Sequence, residues 1–455
     1  MVQSSLSKAI KIVNKEFDRW MVLLCELISI PSVSGNTGDR KTLDRAADWL
    51  SACLNDMDFP VVEVIPTKGN SVVYAEDLSA GAQAMTALIY GHYDVAIVAT
   101  GEEWKTDPFK GVVQGENMYG RGATDMKGQI IASLAALDAI RGAGRMPLNF
   151  KILIEGEEEY SPRHLKEFLI DHRERLGADF CLNADAGMVA PNTPTIVFGL
   201  RGNMGLKLRV KGPKAPLHTG LFGGVIQNPI HVLSELIAKM HDQDGAIAIP
   251  DFYDKVRGIT NEEREVLARV PVDDEFYIQR SGASALWGEK GFTVQERIGT
   301  RPAINLNKFD TERDQFVIPS EATAYISIRL VPDQNPEDIF KLVQRFVETN
   351  APETVTWELD FVSGYGPAIT DRTSVPVRAL EKAFKTVWGV EPVFSRDGGG
   401  IPAVGWIQEV LGVDSLLTGF ASPDDNLHGP NEKVHLPTLK KGVETLVHLF
   451  YNLNN

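Results

Sequence analysis

Hydrophobic and polar positions alternate with two different periods along the first two hundred residues. Residues 41–54 and 129–141 place apolar side chains at helical spacing, which predicts two helices. Residues 84–90 and 148–154 are short apolar runs, and 180–182 is the centre of another, which predicts three buried strands. Strands that alternate with helices are typical of parallel βαβ units. We therefore expect an α/β fold built on a parallel-rich sheet with helices on both faces.

The pattern changes after Gly202, where strands with one buried face become the rule. The second pattern predicts strands at residues 206–210, 321–330 and 355–361, and helices at residues 229–240 and 336–347. Two helices on one antiparallel sheet form an α+β unit that resembles a ferredoxin-like sandwich.

The length of the chain predicts more than one domain. At 455 residues it exceeds the size at which a single hydrophobic core usually stops growing. The strand and helix pattern of the first part resumes at residues 375–387 and continues to the C-terminus. We therefore predict a catalytic domain of residues 1–202 and 367–455, interrupted by an inserted domain of residues 203–366.

Charge and composition exclude some partners. The formal net charge is -15, and such a charge repels nucleic acid and anionic membranes. The first twenty residues carry several charges and no continuous apolar run, so we expect neither a signal peptide nor a membrane span. Cys25, Cys53 and Cys181 are far apart and lack metal-site spacing, which favours core thiols in a reducing compartment. We expect a cytoplasmic protein.

Histidine and acidic residues follow the predicted strands. His92 and Asp94 come directly after the strand at 84–90, and Asp185 comes after the strand at 180–182. An acidic run, 155–159, follows the remaining strand. In open α/β sheets, ligands bind at the carboxyl ends of the strands. The sequence therefore predicts that these side chains meet at one edge of the sheet.

Two further segments add an acid and a histidine. Asp125 follows a glycine-rich stretch, and His428 lies in a polar loop at 422–433. Taken alone, each feature has an ordinary explanation, since surface His-x-Asp pairs are common and a glutamate run is usually a solvated helix start. Their succession at several strand ends instead favours a metal site. Two histidines with several carboxylates suit Zn²⁺, Mn²⁺ or Co²⁺, and a spare glutamate beside two such ions would serve as general base.

These residues carry a resemblance that extends over nearly the whole chain. The motifs at the strand ends are Gly91-His92-Tyr93-Asp94-Val95, Gly120-Arg121-Gly122-x-x-Asp125-x-Lys127-Gly128, Glu155-Gly156-x-Glu158-Glu159 and Asp185. Further motifs are Leu217-His218-Thr219-Gly220, Ser327-Ile328-Arg329-Leu330-Val331-Pro332, Gly398-Gly399-Gly400-Ile401-Pro402 and His428-x-x-Asn431-Glu432. Their order and spacing resemble the M20 metallopeptidase family, which includes carnosinases, nonspecific dipeptidases, acetylornithine deacetylase and succinyl-diaminopimelate desuccinylase.

The resemblance implies a centre of two divalent metal ions per subunit. Zn²⁺ is the expected ion, with Mn²⁺ and Co²⁺ as alternatives. In such a centre Asp125 bridges the two ions. His92 and Asp185 bind one ion, and Glu159 and His428 bind the other.

The same resemblance assigns roles beside the metals. Asp94 orients the neighbouring metal-bound histidine, and Glu158 is the general base. Three glutamates in a row leave a second register open, in which Glu157 is the base and Glu158 the ligand. The peptide bond between Asp125 and Met126 is expected to be cis.

In the family that the chain resembles, the inserted domain is a lid and a dimerisation module, so we expect a homodimer. His218 then reaches the partner's active site and stabilises the oxyanion, unless it is only a turn residue. Arg329 becomes the clamp for the terminal carboxylate of the substrate, although a structural ion pair is the usual role of such an arginine. Gly399 and Gly400 present backbone N–H groups to the same anion. Position 400 is a serine or threonine in the family, so one hydrogen bond to the substrate is lost here or comes from the backbone.

An extra segment at residues 244–300 bears on the substrate. Similar segments occur in the carnosinase and nonspecific-dipeptidase branch, and the compact deacylases lack them. We therefore predict a metallopeptidase that cleaves dipeptides or short peptides with a free C-terminal carboxylate. An N-acyl amino acid deacylase with the same metals is the alternative. A metal-binding scaffold without catalysis is a third hypothesis.

Overall fold

A computed structural model of the chain describes residues 2–35, 38–160, 164–311 and 316–454. The helices are α1 (Val2–Ile28), α2 (Arg40–Asp56), α3 (Lys127–Ala143), α4 (Leu165–Asp171), α5 (Arg173–Leu176), α6 (Thr219–Phe222), α7 (Pro229–Ala238), α8 (Asn261–Leu267), α9 (Asp274–Ser281), α10 (Val294–Thr300), α11 (Pro336–Asn350), α12 (Val375–Trp388), α13 (Pro402–Trp406) and α14 (Leu436–Asn452). A π-helical turn, Ile407–Leu411, follows α13.

The strands are β1 (Val61–Ile65), β2 (Val72–Asp77), β3 (Thr86–His92), β4 (Val112–Gln114), β5 (Asn117–Tyr119), β6 (Asn149–Glu155), β7 (Phe180–Asn183), β8 (Thr195–Leu200), β9 (Gly202–Lys211), β10 (Leu217–His218), β11 (Ala303–Thr311), β12 (Val317–Ile318), β13 (Glu321–Leu330), β14 (Thr356–Tyr365), β15 (Ala368–Ile369), β16 (Val393–Asp397), β17 (Ser415–Leu417) and β18 (Lys433–His435).

The largest sheet has a parallel centre. Among the described residues its strand order is β1-β2-β6-β3-β7-β17-β8-β15, with β16 also paired to β8. The four central strands β6, β3, β7 and β17 run parallel to one another. The strands outside them pair antiparallel, except for β16. The predicted parallel-rich sheet is therefore confirmed at its centre, which is where the strand ends carry the acidic residues.

Helices cover both faces of this sheet, as the sequence predicted. On one face α1, α2, α3, α12 and α14 pack against alternate residues of the central strands, including Ile89 and Ile152. On the other face α4, α13 and the π-helical turn pack against the intervening residues, including Leu88 and Leu153. Because β3, β6 and β7 are buried on both sides, their sequences are apolar runs without alternation.

A separate four-stranded antiparallel sheet lies within residues 202–365. Its strand order is β11-β13-β9-β14, and helices α7 and α11 lie on one of its faces. With the chain order β9-α7-β11-β13-α11-β14, this is the ferredoxin-like arrangement that the sequence predicted. Strand β9 alternates buried and half-buried residues along its length, because only one face of the sheet is covered.

The extra segment between α7 and β11 also contacts the large sheet. Helices α8 and α10 pack against β16, which is an edge strand of that sheet. Residues 203–366 are thus joined to the large sheet by the chain at both ends and also contact it through this segment. None of the helices in the described ranges is both long and apolar enough to cross a bilayer.

Candidate metal centre

The central parallel strands deliver their last residues to the same edge of the sheet. His92 ends β3 and Glu155 ends β6, and the two are register partners. Asp185 lies two residues beyond the end of β7, the neighbour of β3 on its other side. The predicted meeting of these side chains follows directly from the parallel register.

The histidines and acids at this edge form two clusters that share Asp125. His92, Asp125 and Asp185 make one cluster, and Asp125, Glu159 and His428 make the other. In the first, His92 Nε2 lies 3.2 Å from Asp125 Oδ1 and 3.7 Å from Asp185 Oδ2. In the second, His428 Nε2 lies 2.7 Å from Asp125 Oδ2 and 3.0 Å from Glu159 Oε2. The carboxylate of Asp125 thus has one oxygen directed to each cluster.

Asp94 connects the first cluster to the glutamate run. Its backbone oxygen lies 3.1 Å from His92 Nδ1, and its Oδ1 lies 3.4 Å from the same nitrogen. The two carboxylate oxygens accept the backbone N–H groups of Glu158 and Glu159 at 3.2 and 3.1 Å. Asp94 and His92 are fully buried, so these contacts fix both the imidazole ring and the start of the loop after β6.

The three successive glutamates point to three different places. Glu157 contacts His164, with its Oε2 3.0 Å from the imidazole Nδ1. Glu158 lines the cavity beside Asp125. Glu159 Oε1 accepts the backbone N–H of Ala96 at 3.0 Å, while its other oxygen faces His428.

Asp125 sits in a tightly held loop before α3. The peptide bond between Asp125 and Met126 is cis, as expected from the resemblance. The carboxylate of Glu432 accepts backbone N–H groups from this loop: Gly122 at 3.1 Å, Thr124 at 3.0 Å and Asp125 at 3.2 Å. Gly122 has φ +85°, a conformation that favours glycine, and an added Cβ would lie 2.7 Å from Val95 Cγ1.

Two buried cations support the same loop. Arg121 donates to Glu432 Oε2 at 2.8 Å and to the backbone oxygen of His428 at 3.1 Å. Lys127 donates to the backbone oxygens of Leu27 and Ile30 at 2.9 and 2.7 Å, and burial lowers its pKa to about 7. Arg121 therefore holds the two segments that carry Asp125 and His428 in a fixed relation.

Burial is the largest influence on the ionisation of the cluster, and repulsion between its carboxylates adds to it. Burial raises the pKa of Glu158 well above its ordinary value, and the carboxylates of Asp185 and Asp125 raise it further, against the opposing effect of His92. Burial likewise raises the pKa of Asp185 to about 6. Hydrogen bonds to Asp125 and Glu159 raise the pKa of His428 to about 10. The site thus holds more negative charge than its protein neighbours balance.

The donor set fits two divalent cations. His92 Nε2 is buried and, despite its 3.2 Å approach to Asp125 Oδ1, makes no hydrogen bond of acceptable geometry with any described residue. A buried polar atom without a partner is unusual, and here it points into a group of carboxylates. Imidazole nitrogens with carboxylate oxygens are donors that Zn²⁺, Mn²⁺ and Co²⁺ accept.

A cavity of about 420 Å³ opens beside this centre. It is lined at one end by Asp125, Glu158 and Asp185, and elsewhere by residues of the β16–α13 connection such as Gly399 and Gly400. The size is suited to a substrate of a few residues.

The residues predicted to contact substrate lie in different surroundings. Arg329 faces away from the buried Ile326 and Ile328, as predicted, but it is outside the cavity lining. Burial lowers the pKa of Arg201 to about 10, and the positive charge of Arg329 contributes to this shift. The two guanidinium groups therefore lie near each other. His218 is exposed, accepts the Gly220 N–H at 3.1 Å through Nδ1, and is also outside the lining.

The two glycines line the cavity, but their backbone groups are partly engaged. The Gly399 N–H donates to Asp397 Oδ1 at 2.9 Å, so this donor already has an acceptor within the protein. A Cβ on Gly400 would lie 2.3 Å from the Arg201 carbonyl oxygen and 2.7 Å from Tyr365 Oη. Tyr365 fills the space beside Gly400 and donates to its carbonyl oxygen at 3.1 Å, which explains why a serine or threonine does not fit.

Sequence reasoning gave no role to several residues of this site. Glu432, Arg121 and Lys127 were visible only as parts of motifs. Their function depends on contacts between segments that are distant in the chain, such as the Arg121–Glu432 pair. Arg280, which the cavity lining includes, belongs to the extra segment and has no motif around it.

We expect Glu432→Gln to weaken Zn²⁺ binding by about 10- to 100-fold, the usual cost of losing a supporting contact behind metal ligands. An amide offers fewer acceptor sites to the three backbone N–H groups and leaves Arg121 without its buried counter-charge. Calorimetric titration of Zn²⁺ into metal-stripped protein measures the effect. Glu116→Gln is the matched control, because Glu116 is largely exposed and its carboxylate lies 3.5 Å from His435. Equal affinity in Glu432→Gln and wild type would contradict the role of this carboxylate.

Comparison with known proteins places this centre among metallopeptidases. The chain is 29% identical over 378 residues to the human (Homo sapiens) Beta-Ala-His dipeptidase, covering 81% of this chain and 75% of that protein. It is 28% identical over 448 residues to the Cys-Gly metallodipeptidase DUG1 of Saccharomyces cerevisiae, covering 93% of each.

A solved structure has the same overall fold. The M20 family metallo-carboxypeptidase from Sulfolobus solfataricus superposes with a TM-score of 0.84 at 29% identity, over 96% of this chain and 99% of that one. The sequence profile of peptidase family M20/M25/M40 matches residues 88–452, the span that contains every residue of the two clusters. The chain belongs to peptidase family M20/M25/M40.

Proposed function

We propose that the protein is a dimetal hydrolase that cleaves the peptide bond of dipeptides or short peptides with a free C-terminal carboxylate. The observation that carries the proposal is the pair of histidine and carboxylate clusters joined by Asp125. The similar proteins include dipeptidases that act on Beta-Ala-His and on Cys-Gly. Those names favour peptide bonds over the N-acyl bonds of the alternative deacylase.

In this proposal the two clusters hold two Zn²⁺ ions, with Mn²⁺ or Co²⁺ as the other ions that the donors accept. Asp125 would lie between the ions, with His92 and Asp185 on one side and Glu159 and His428 on the other. When bound, the ions polarise the scissile carbonyl and favour ionisation of the attacking water. Asp94 would keep the His92 ring in place through the contacts of its backbone oxygen and Oδ1 with the imidazole Nδ1.

Glu158 is proposed as the general base. Its carboxylate lines the cavity next to Asp125 and Asp185, where the peptide carbonyl has to lie. It would accept a proton from the attacking water and pass it to the leaving amine. Glu157, the base in the alternative register, contacts His164, and Glu159 faces His428. These directions support the register in which Glu158 is the base.

Substrate recognition is proposed to involve the inserted domain, residues 203–366, acting as a lid on the catalytic domain of residues 1–202 and 367–455. Arg329 would clamp the terminal carboxylate when the lid closes, and the neighbouring Arg201 adds positive charge. Gly399 and Gly400 would shape the wall against which the substrate backbone lies.

We propose that the active form is a homodimer in which His218 of one subunit completes the site of the other. His218 is exposed and lies next to the short helix α6. The residues that follow, Leu221 and Val225, are large hydrophobic residues that are 75% and 77% exposed. Clustered apolar residues of this kind mark association surfaces.

A cytoplasmic location is proposed from the free thiols of the three cysteines.

A substrate panel tests the proposed reaction. We expect the Zn²⁺-loaded protein to hydrolyse neutral dipeptides such as Ala-Gly, and to leave N-acetyl- and N-succinyl-amino acids intact. Amine release is measured for each compound before and after removal of the metal with a chelator. Turnover of the acyl compounds alone would favour the deacylase, and dipeptide turnover that survives complete metal removal would exclude the dimetal mechanism.

Paired substitutions test the base. Glu158→Gln should reduce kcat by at least about 100-fold, since general acid–base catalysis contributes that much or more. Metal content, measured by atomic emission, should stay at the wild-type level. Glu157→Gln is the matched control on the adjacent residue and should keep most of the activity. Loss of kcat in Glu157→Gln, together with loss of metal in Glu158→Gln, would establish the other register.

Subunit complementation tests the role of His218. Homodimers of His218→Ala and of Glu158→Gln should both be nearly inactive. A heterodimer of one subunit of each, isolated with two affinity tags, should recover about half of the wild-type activity, because one of its two sites then contains both residues. An inactive heterodimer would show that His218 acts within its own subunit, and a fully active His218→Ala homodimer would show that it has no role in the reaction.

A further inference from the structure

The extra segment of the inserted domain is fastened to the catalytic sheet. Glu263 on α8 forms an ion pair with Arg396 on β16, and both side chains are nearly buried. Gly299 on α10 lies so close to β16 that an added Cβ would stand 2.4 Å from Arg396 Cβ. A buried ion pair and direct backbone packing hold the segment against this edge strand.

The same contact continues into the cavity wall. Ile298 of α10 occupies the space beside Gly398, where an added Cβ would lie 2.6 Å from its Cγ2. Gly398 follows directly on β16, and the next residues, Gly399 and Gly400, line the cavity. The position of the extra segment is therefore tied to the position of the cavity wall.

Helix α9 is held within this segment at the cavity. Asp273 caps its first turn by accepting the Phe276 N–H at 3.0 Å. The Gln295 side chain of α10 donates to Tyr277 Oη at 3.3 Å and to the Val272 carbonyl oxygen at 3.4 Å. These contacts attach the start and the middle of α9 to the rest of the segment.

Arg280 lies in that last turn and lines the cavity together with Glu158 and Asp185. Its guanidinium carbon lies over the ring of Phe276, 5.7 Å from the ring centre, in a cation–π contact. Among the described lining residues it is the one arginine or lysine, and the acidic ones are Asp125, Glu158, Asp185 and Asp397. Among the described residues, no ion pair of 4.0 Å or less joins Arg280 to Asp397 or to the acidic residues of the two clusters.

We propose that Arg280 is a specificity-determining residue that binds a carboxylate of the bound peptide. This inference rests on the proposed function, since it concerns the substrate of that same cavity. A guanidinium binds a carboxylate through two parallel N–H···O contacts, which also orient the substrate. The carboxylate comes either from an acidic side chain of the peptide or from its C-terminus, and both sources place the same chemistry at Arg280.

Steady-state kinetics on matched dipeptides test the proposal. Wild type, Arg280→Ala and Arg280→Lys are compared on Ala-Asp against Ala-Asn, on Asp-Ala against Asn-Ala, and on Ala-Ala. If an acidic side chain is bound, Arg280→Ala lowers kcat/KM by about tenfold for one Asp peptide and leaves its Asn partner and Ala-Ala unchanged. If the C-terminus is bound, KM rises by about tenfold for all five peptides. In either case the loss in Arg280→Lys is smaller than the loss in Arg280→Ala.

Arg269→Ala is the matched control, because Arg269 is an exposed arginine of the same segment outside the cavity lining. It should match wild type on every peptide, and metal content and melting temperature should be equal in all variants. Values for Arg280→Ala within about twofold of wild type on every peptide would overturn the role of Arg280. That result differs from a failure of the proposed function, in which wild type itself hydrolyses none of the five dipeptides.

Discussion

Repulsion among buried carboxylates is the constraint on which this active-site architecture depends. Parallel strands that end side by side bring Asp94 and Asp185 to one edge of the sheet, the loop after β6 adds Glu158 and Glu159, and the loop before α3 adds Asp125. Burial disfavours the charged form of these carboxylates and their mutual repulsion adds to this effect, so the pKa values of Glu158, Glu159 and Asp185 are raised. Two histidines supply at most two positive charges when protonated. The two divalent cations of the proposed function would supply four, so metal binding would balance the charges of this edge better.

The residues behind the predicted ligands differ, because each of their charged groups already has hydrogen-bond partners. Glu432 faces Arg121 and three backbone N–H groups, and Asp94 faces two backbone N–H groups. Lys127 is satisfied by backbone carbonyl oxygens. Because the oxygens of these carboxylates already accept hydrogen bonds, the carboxylates are held in place and do not turn toward the metal site. The surplus negative charge is therefore confined to the groups that face the cavity and the two clusters.

The sequence predicted the parts of this structure that local pattern determines. The buried strands β3 and β6 and the helices α2 and α3 were found within a few residues of their bounds, since apolar periodicity reflects which side of an element is covered. Strand-end position and family motifs together gave the predicted metal ligands, and the structure brings these residues into two clusters. Strands β2 and β8 were not predicted, because the apolar run of β2 stops after four residues at two acidic ones and a glycine interrupts the run of β8. Glu432 and Arg280 could not be assigned either, since their surroundings come from segments that are distant in the chain.

The proposed inserted domain would contribute to the site by two separate routes. Its extra segment is fixed to β16 of its own catalytic sheet through the Glu263–Arg396 pair, and it places Arg280 at the cavity. The proposed route of His218 depends instead on a second subunit, since this histidine is exposed and lies outside the cavity of its own chain. Arg280 already lines the cavity before the substrate binds, so it is suited to selecting the substrate. A residue delivered by a partner is suited to the transition state, because its contact can form after binding.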